Sequence, residues 1–178
     1  MIRVAILGDS HIPGRAKELP EKLIKRVREF MPNRIWFTGD FNTLDVLRRI
    51  NSLGRLDAVL GNKDFLELPE SLKFEFEGVK LLLIHGHQVG VAGNRERLQN
   101  FAKYYGCDVI VCGHSHVPDV HKDRAIIINP GSCTGVPYLD SARPPSLILA
   151  TLGGRNISLR LLLLSGAEIL EELYELSV

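Results

Sequence analysis

The stretch Ile2-Arg3-Val4-Ala5-Ile6-Leu7-Gly8-Asp9-Ser10-His11 decides how this chain is read. Residues 2–7 are a short apolar run rich in β-branched side chains, and a glycine closes it, which is the signature of a buried strand. An aspartate and a histidine follow at once. The same order recurs four more times along the chain. Residues 34–38 lead into Gly39-Asp40, 56–60 into Gly61-Asn62, 79–84 into His85-Gly86-His87, and 108–112 into Gly113-His114-Ser115-His116. In open α/β sheets, ligands gather in the crevice beyond the carboxyl ends of the strands. These side chains are therefore expected to converge on one edge.

Singly, the motifs read as ordinary polar turns, except Gly113-His114-Ser115-His116, whose two histidines after a buried strand are an unusual cost without a ligand. Jointly they offer seven metal ligands: Asp9, His11, Asp40, Asn62, His85, His114 and His116. Carboxylate, amide oxygen and neutral imidazole suit manganese, iron, nickel, cobalt or zinc better than calcium. No cysteine lies in the motifs, which argues against a closed structural zinc site. The reading is a dinuclear metal hydrolase. Two divalent ions about 3.5–4 Å apart share a water, lower its pKa and hold the resulting hydroxide for attack on a substrate. They also neutralise negative charge that builds up in the transition state. Manganese is the expected ion, with nickel, cobalt, iron, zinc and magnesium as alternatives. His87, two residues after a ligand, is expected either to contact substrate or protonate the leaving group, or to support a ligand from behind.

The motif series Asp-x-His, Gly-Asp, Gly-Asn, His and Gly-His-x-His resembles that of the calcineurin-like metallophosphoesterases. Within them it is similar to the small single-domain phosphodiesterase branch that includes the retromer subunit fold, over roughly residues 1–150. The resemblance implies a four-layer sandwich of two mixed β-sheets flanked by helices. It also implies that Asp9, His11 and His116 hold one ion and Asn62, His85 and His114 the other, with Asp40 bridging. Asn129-Pro130-Gly131-Ser132 resembles a turn of this branch that supports the metal loops. One departure stands out. Where many relatives carry histidine or cysteine after the Gly-Asn asparagine, this chain has Lys63. The lysine can clamp a phosphate oxygen, which is the reading favoured here, lose its proton beside the metals, or point to solvent. Asp40, Asn62, Lys63 and His87 are the side chains expected to act in catalysis.

Composition agrees with a compact enzyme. The 178 residues read as one domain, 1–178, of which 45% are hydrophobic. A net charge of +1 does not by itself imply a nucleic-acid surface, and the lack of a long insertion or basic tract argues against a nuclease, the rival activity in this superfamily. The other rival is a catalytically weak protein-binding scaffold, the use to which the retromer subunit puts this fold. A full set of ligands favours the enzyme. The expected substrate is a small phosphodiester or a phosphorylated metabolite. No apolar run reaches membrane-spanning length and the N-terminus enters a strand directly, so the expected location is the cytoplasm. Three cysteines without paired spacing read as reduced thiols.

Helices are expected after Pro20, over 43–51, and over 94–105 up to Gly106. Hairpins are expected at Glu77-Gly78 and Gly153-Gly154. Residues 136–145 are expected to form a loop across the sheet, and 167–176 a terminal helix. The apolar C-terminal strands offer an edge for a homodimer.

Overall fold

The computed structural model describes residues 1–90, 92–139 and 143–178. The first sheet begins with three parallel strands, β1 (Ile2–Leu7), β2 (Arg34–Phe37) and β3 (Arg55–Ala58). Three antiparallel strands extend it on the other side of β1: β9 (Ser146–Gly153), β10 (Asn156–Ser165) and β11 (Glu168–Ser177). The second sheet contains the hairpin of β4 (Ser71–Phe76) and β5 (Val79–Ile84). Beside β5 run β6 (Val109–Val111) and β8 (Ile126–Asn129), both parallel to it, and β7 (Asp119–Lys122) closes the edge antiparallel to β8.

Three apolar layers explain why the early strands read as continuous hydrophobic runs, since both faces of each are covered. Val4, Ile6 and Trp36 of the first sheet meet Leu81, Leu83, Val109 and Val111 of the second in the central layer. Ala5, Leu7, Ile35 and Phe37 face outward and are covered by Leu23, Ile24 and Val27 of α1 (Glu21–Phe30) and by Val46 and Ile50 of α2 (Leu44–Asn51). Leu98 and Ala102 of α3 (Arg95–Tyr105) cover Leu82, Ile84 and Ile110 on the far side. The order helix, sheet, sheet, helix is the expected four-layer sandwich. Truncating one of these side chains, for example Leu83→Ala, removes about 2–5 kcal/mol of stability.

The helices begin and end where their sequences direct. Asn94 caps α3 by accepting from the Arg97 N–H at 2.9 Å, and Gly106 ends it in the left-handed conformation. All three cysteines are free. Burial pushes the Cys112 thiol up to about 12 and that of Cys133 up as well, which leaves both inert. No helix among the described residues is long and apolar enough to cross a membrane.

Two expectations need correction. The 167–176 segment is not a helix; it supplies β11, paired over its full length with β10 from Glu168↔Ser165 to Ser177↔Asn156. Ile169, Leu170, Leu173 and Leu176 satisfy a helical spacing, but Tyr174 and Leu176 alternate into the central layer as a strand requires. The cost shows in Leu170 and Leu173, left 51% and 72% exposed on the outermost strand. The strands β7 and β8 also extend the second sheet where none was expected. Of the expected loop over 136–145, residues 140–142 lie outside the described residues.

Candidate metal centre

Every motif leaves the carboxyl end of a strand. Asp9 and His11 follow β1, Asp40 follows β2, Asn62 lies beyond β3, His85 follows β5, and His114 and His116 follow β6. Both sheets therefore contribute to one edge of the sandwich. Nine described residues other than glycine adopt a positive φ, and five of them are Asp9 (52°), His11 (49°), Asp40 (61°), His114 (67°) and His116 (57°). Such a conformation costs about 1–3 kcal/mol per residue and persists only where surrounding bonds impose it. Here the bonds run between the loops: Asp9 N–H to Gly39 O at 3.0 Å, His11 N–H to Asp40 O at 3.1 Å, and Gly113 N–H to His85 O at 2.7 Å. Gly61 is required for space, because a Cβ there would collide with the Asp40 carboxylate and amide.

The donor atoms form two overlapping groups, Asp9 with His11 and His116, and Asp9 with Asp40 and His85, each within 4.8 Å. Nε2 of His11 faces Nε2 of His116 at 3.1 Å. Asp9 Oδ1 lies 3.4 Å from His116 Nε2. Asp40 Oδ2 stands between the halves, 3.3 Å from His11 Nε2 and 3.6 Å from His85 Nε2. Asn62 Oδ1 is 2.9 Å from His85 Nε2, and the His114 ring centroid is 5.0 Å from that of His85. All seven expected ligands are thus brought together.

Backbone carbonyls set the orientation of two rings. His85 Nδ1 lies 2.7 Å from Thr38 O and His116 Nδ1 lies 2.8 Å from Val136 O. A carbonyl only accepts, so each Nδ1 carries the proton and, in the neutral ring, turns a lone pair inward at Nε2. His85 Nε2 then confronts the oxygens of Asn62 and Asp40, and His116 Nε2 confronts His11 and Asp9. Lone pairs that face one another repel unless a proton or a metal ion lies between them. Two imidazole nitrogens that share one ion at about 2.1 Å each stand roughly as far apart as those of His11 and His116. The donor set therefore fits divalent metal.

Electrostatics agree. Burial pushes the His11 and His114 imidazoles down to about 4, keeping both neutral and able to ligate at pH 7. Burial also works to raise the Asp9 carboxyl, but hydrogen bonding to His116 and the charges of His85, His116 and His11 hold it below the usual range. For Asp40, burial wins over His85 and the Lys63 amide and the carboxyl is raised. At His116, burial lowers the proton affinity but the Asp9 partner outweighs it.

The remaining expected residues differ in how closely they join. Lys63 is exposed, and its backbone N–H, donating to Asp40 Oδ1 at 2.8 Å, is the part that meets the centre. His87 is half-buried with its ring centroid 5.3 Å from His85 and 6.2 Å from His114. Burial pushes its imidazole below the ordinary value. The Asn129–Ser132 turn supports the loops as expected. Asn129 Nδ2 donates to Gly113 O at 3.1 Å and Ser115 Oγ at 3.0 Å, while Ser132 Oγ donates to Asp9 O at 2.7 Å.

Asp64 was not anticipated. Its carboxylate accepts from the N–H groups of Asp40 (2.8 Å), Asn42 (2.8 Å) and Gly61 (3.0 Å), tying two ligand loops together. Its place two residues after Asn62 was the available signal. Tyr138, whose ring stands beside His114 and His116, was also missed and had no motif to mark it.

Fold and centre together define the metal-dependent phosphoesterase class. The chain matches the calcineurin-like phosphoesterase superfamily domain over residues 2–153. It is 32% identical over 158 residues to a probable metallophosphoesterase of Methanothermobacter thermautotrophicus, covering 86% of this chain and 88% of that one. Among solved structures, vacuolar protein sorting 29 from Cryptosporidium parvum superposes with a TM-score of 0.92 at 26% identity, over 99% of this chain and 98% of that one. Wild-type Vps29 of Entamoeba histolytica in complex with zinc superposes with a TM-score of 0.90 at 25% identity, over 98% and 99%. The chain belongs to the calcineurin-like phosphoesterase superfamily.

Proposed function

We propose that this protein is a dinuclear metal-dependent phosphodiesterase. The observation that carries this reading is Asp40 Oδ2, within 3.3 Å of His11 Nε2 on one side and 3.6 Å of His85 Nε2 on the other. Asp9, His11 and His116 would hold one ion, Asn62, His85 and His114 the second, and Asp40 both. When bound, two divalent ions supply an activated water and offset charge developing at phosphorus. Manganese is the expected ion, and the zinc complex of the Entamoeba relative supports zinc as the main alternative.

The chain's own residues do the positioning. The Thr38 and Val136 carbonyls aim the two rings, and Asp64 fixes the loops carrying Asp40 and Asn62. Exposed Asn62 and Lys63 form an open rim, which suits a small phosphodiester or phosphorylated metabolite, with Lys63 free to meet a phosphate oxygen. His87, whose imidazole burial pushes below its ordinary value, stands beside His85 and His114 where it meets the substrate or its leaving group. Preference for diesters is supported by the resemblance to the small branch of the family.

The test is hydrolysis of bis-p-nitrophenyl phosphate and p-nitrophenyl phosphate by metal-stripped protein, with manganese, nickel, cobalt, magnesium or zinc restored. Metal-dependent diester cleavage that disappears in Asp40→Asn is the expected result. A second reading, a protein-binding scaffold of the same fold, is supported by the end-to-end match to Vps29. Two bound ions without turnover of either ester would favour it.

A further inference from the structure

An aromatic ring outside the ligand motifs stands against the metal centre. The Tyr138 centroid lies 5.5 Å from that of His114 and 5.8 Å from that of His116, at 70° to both rings. Tyr138 is half-buried and joins none of the three hydrophobic clusters, so core packing does not account for its position. Part of the ring is covered by the histidines and part remains open.

The segment that presents it is fastened to the ligand loops. Ser132 Oγ donates to Asp9 O at 2.7 Å, and Thr134 Oγ1 donates to Ser10 O at 2.9 Å. Val136 O accepts from His116 Nδ1 at 2.8 Å, and Pro137 O accepts from the Arg15 guanidinium. Arg15 is itself anchored by its backbone N–H on His11 O at 2.8 Å. Four ties within residues 132–137 hold the backbone that leads into Tyr138, which lowers the ordering entropy lost on contact. A planar aromatic face held beside side chains that would hold metal ions is suited to stacking a second planar ring.

We infer that Tyr138 is the platform for an aromatic arm of the substrate, selecting phosphate esters of planar ring compounds such as nucleotides over esters of sugars or simple alcohols. This rests on the phosphodiesterase reading above. Arg15 acts as a positioning residue, holding Pro137 and with it the neighbouring tyrosine.

Calorimetry on the full manganese-loaded chain tests the inference, with AMP, ribose 5-phosphate and inorganic phosphate as probes. AMP should bind more tightly than ribose 5-phosphate. Tyr138→Leu should weaken AMP by about 10-fold while shifting ribose 5-phosphate and phosphate by less than about 2-fold, and Tyr138→Phe should retain the wild-type contrast. Unchanged AMP affinity in Tyr138→Leu would overturn the inference. So would an equal loss for all three probes, which marks damage to the metal centre. Cleavage of bis-p-nitrophenyl phosphate by the same preparations separates the two claims. Intact cleavage without an AMP contrast removes the role of Tyr138 alone. Absent cleavage in the wild type removes the phosphodiesterase reading and the inference that rests on it.

Discussion

Nε2 of His11 and Nε2 of His116 stand 3.1 Å apart, although 105 positions separate the two residues. With His116 Nδ1 committed to Val136 O, the two Nε2 atoms are placed to share a metal ion when one is bound. His116→Ala should therefore reduce the bound metal from two ions to one and lower diester turnover by at least about 100-fold. Metal analysis of the dialysed variant reads the stoichiometry. Two ions retained in His116→Ala would remove that residue from the ligand set.

The candidate ligands were legible because their signal is local: each motif lies just beyond a strand end and includes a glycine. Residues 2–7 and 79–84 were equally plain, since burial on both faces leaves no polar alternation to confuse. The strand Glu168–Ser177 was misread because Ile169, Leu170, Leu173 and Leu176 fit a helical spacing as well. Its conformation is decided by β10, whose ten residues would otherwise present an open edge. Asp64 and Tyr138 were hidden for a related reason. What an aspartate accepts or a tyrosine faces depends on loops brought in from elsewhere in the chain.

Asp64 serves three backbone donors on two loops. Removing the carboxylate leaves those N–H groups without their charged acceptor, and Asp64→Ala should cost about 3 kcal/mol. Urea unfolding of metal-free protein measures the loss, and an unchanged midpoint would mean that water replaces the carboxylate without penalty. Metal affinity should fall alongside stability, since Asp40 and Asn62 lose their common anchor.

Gly61 tests close packing at the same point. A methyl group there collides with the Asp40 carboxylate, which must rotate or shift to make room. Gly61→Ala should lower metal affinity by about 10- to 100-fold, the range seen when a ligand's support is disturbed. Titration with manganese reads the change, and wild-type affinity would show that the loop relaxes without moving Asp40.

Burial holds His11 and His114 near about 4, against an ordinary value of 6.5. In metal-free protein these rings stay neutral in the fold, while the unfolded chain takes up protons below about pH 6.5. The unfolded state then binds more protons, so stability falls as pH drops from about 6.5 toward about 4. His116, raised by Asp9, takes up its proton mainly above about pH 6.5 and so opposes this trend only at its upper end. The thermal midpoint of stripped protein should be lower at pH 5 than at pH 7. A flat profile would show that His11 and His114 accept protons without leaving the fold.

Thr38 makes the sharpest stability prediction because its two polar groups fare so differently. Its carbonyl orients His85, whereas its hydroxyl, fully buried, has no hydrogen-bond partner among the described residues. The side chain is wedged so closely against Gly8 and Gly113 that neither glycine has room for a Cβ. A buried, unpaired hydroxyl costs about 1–3 kcal/mol, and valine replaces it with a methyl of similar size. Thr38→Val should therefore stabilise the metal-free protein by about 1 kcal/mol, while the His85 ring keeps its carbonyl partner. Urea unfolding decides the sign. Destabilisation would mean that the hydroxyl bonds to the neighbouring Asp9 carboxylate, making Thr38 a support of the metal centre through both its polar groups.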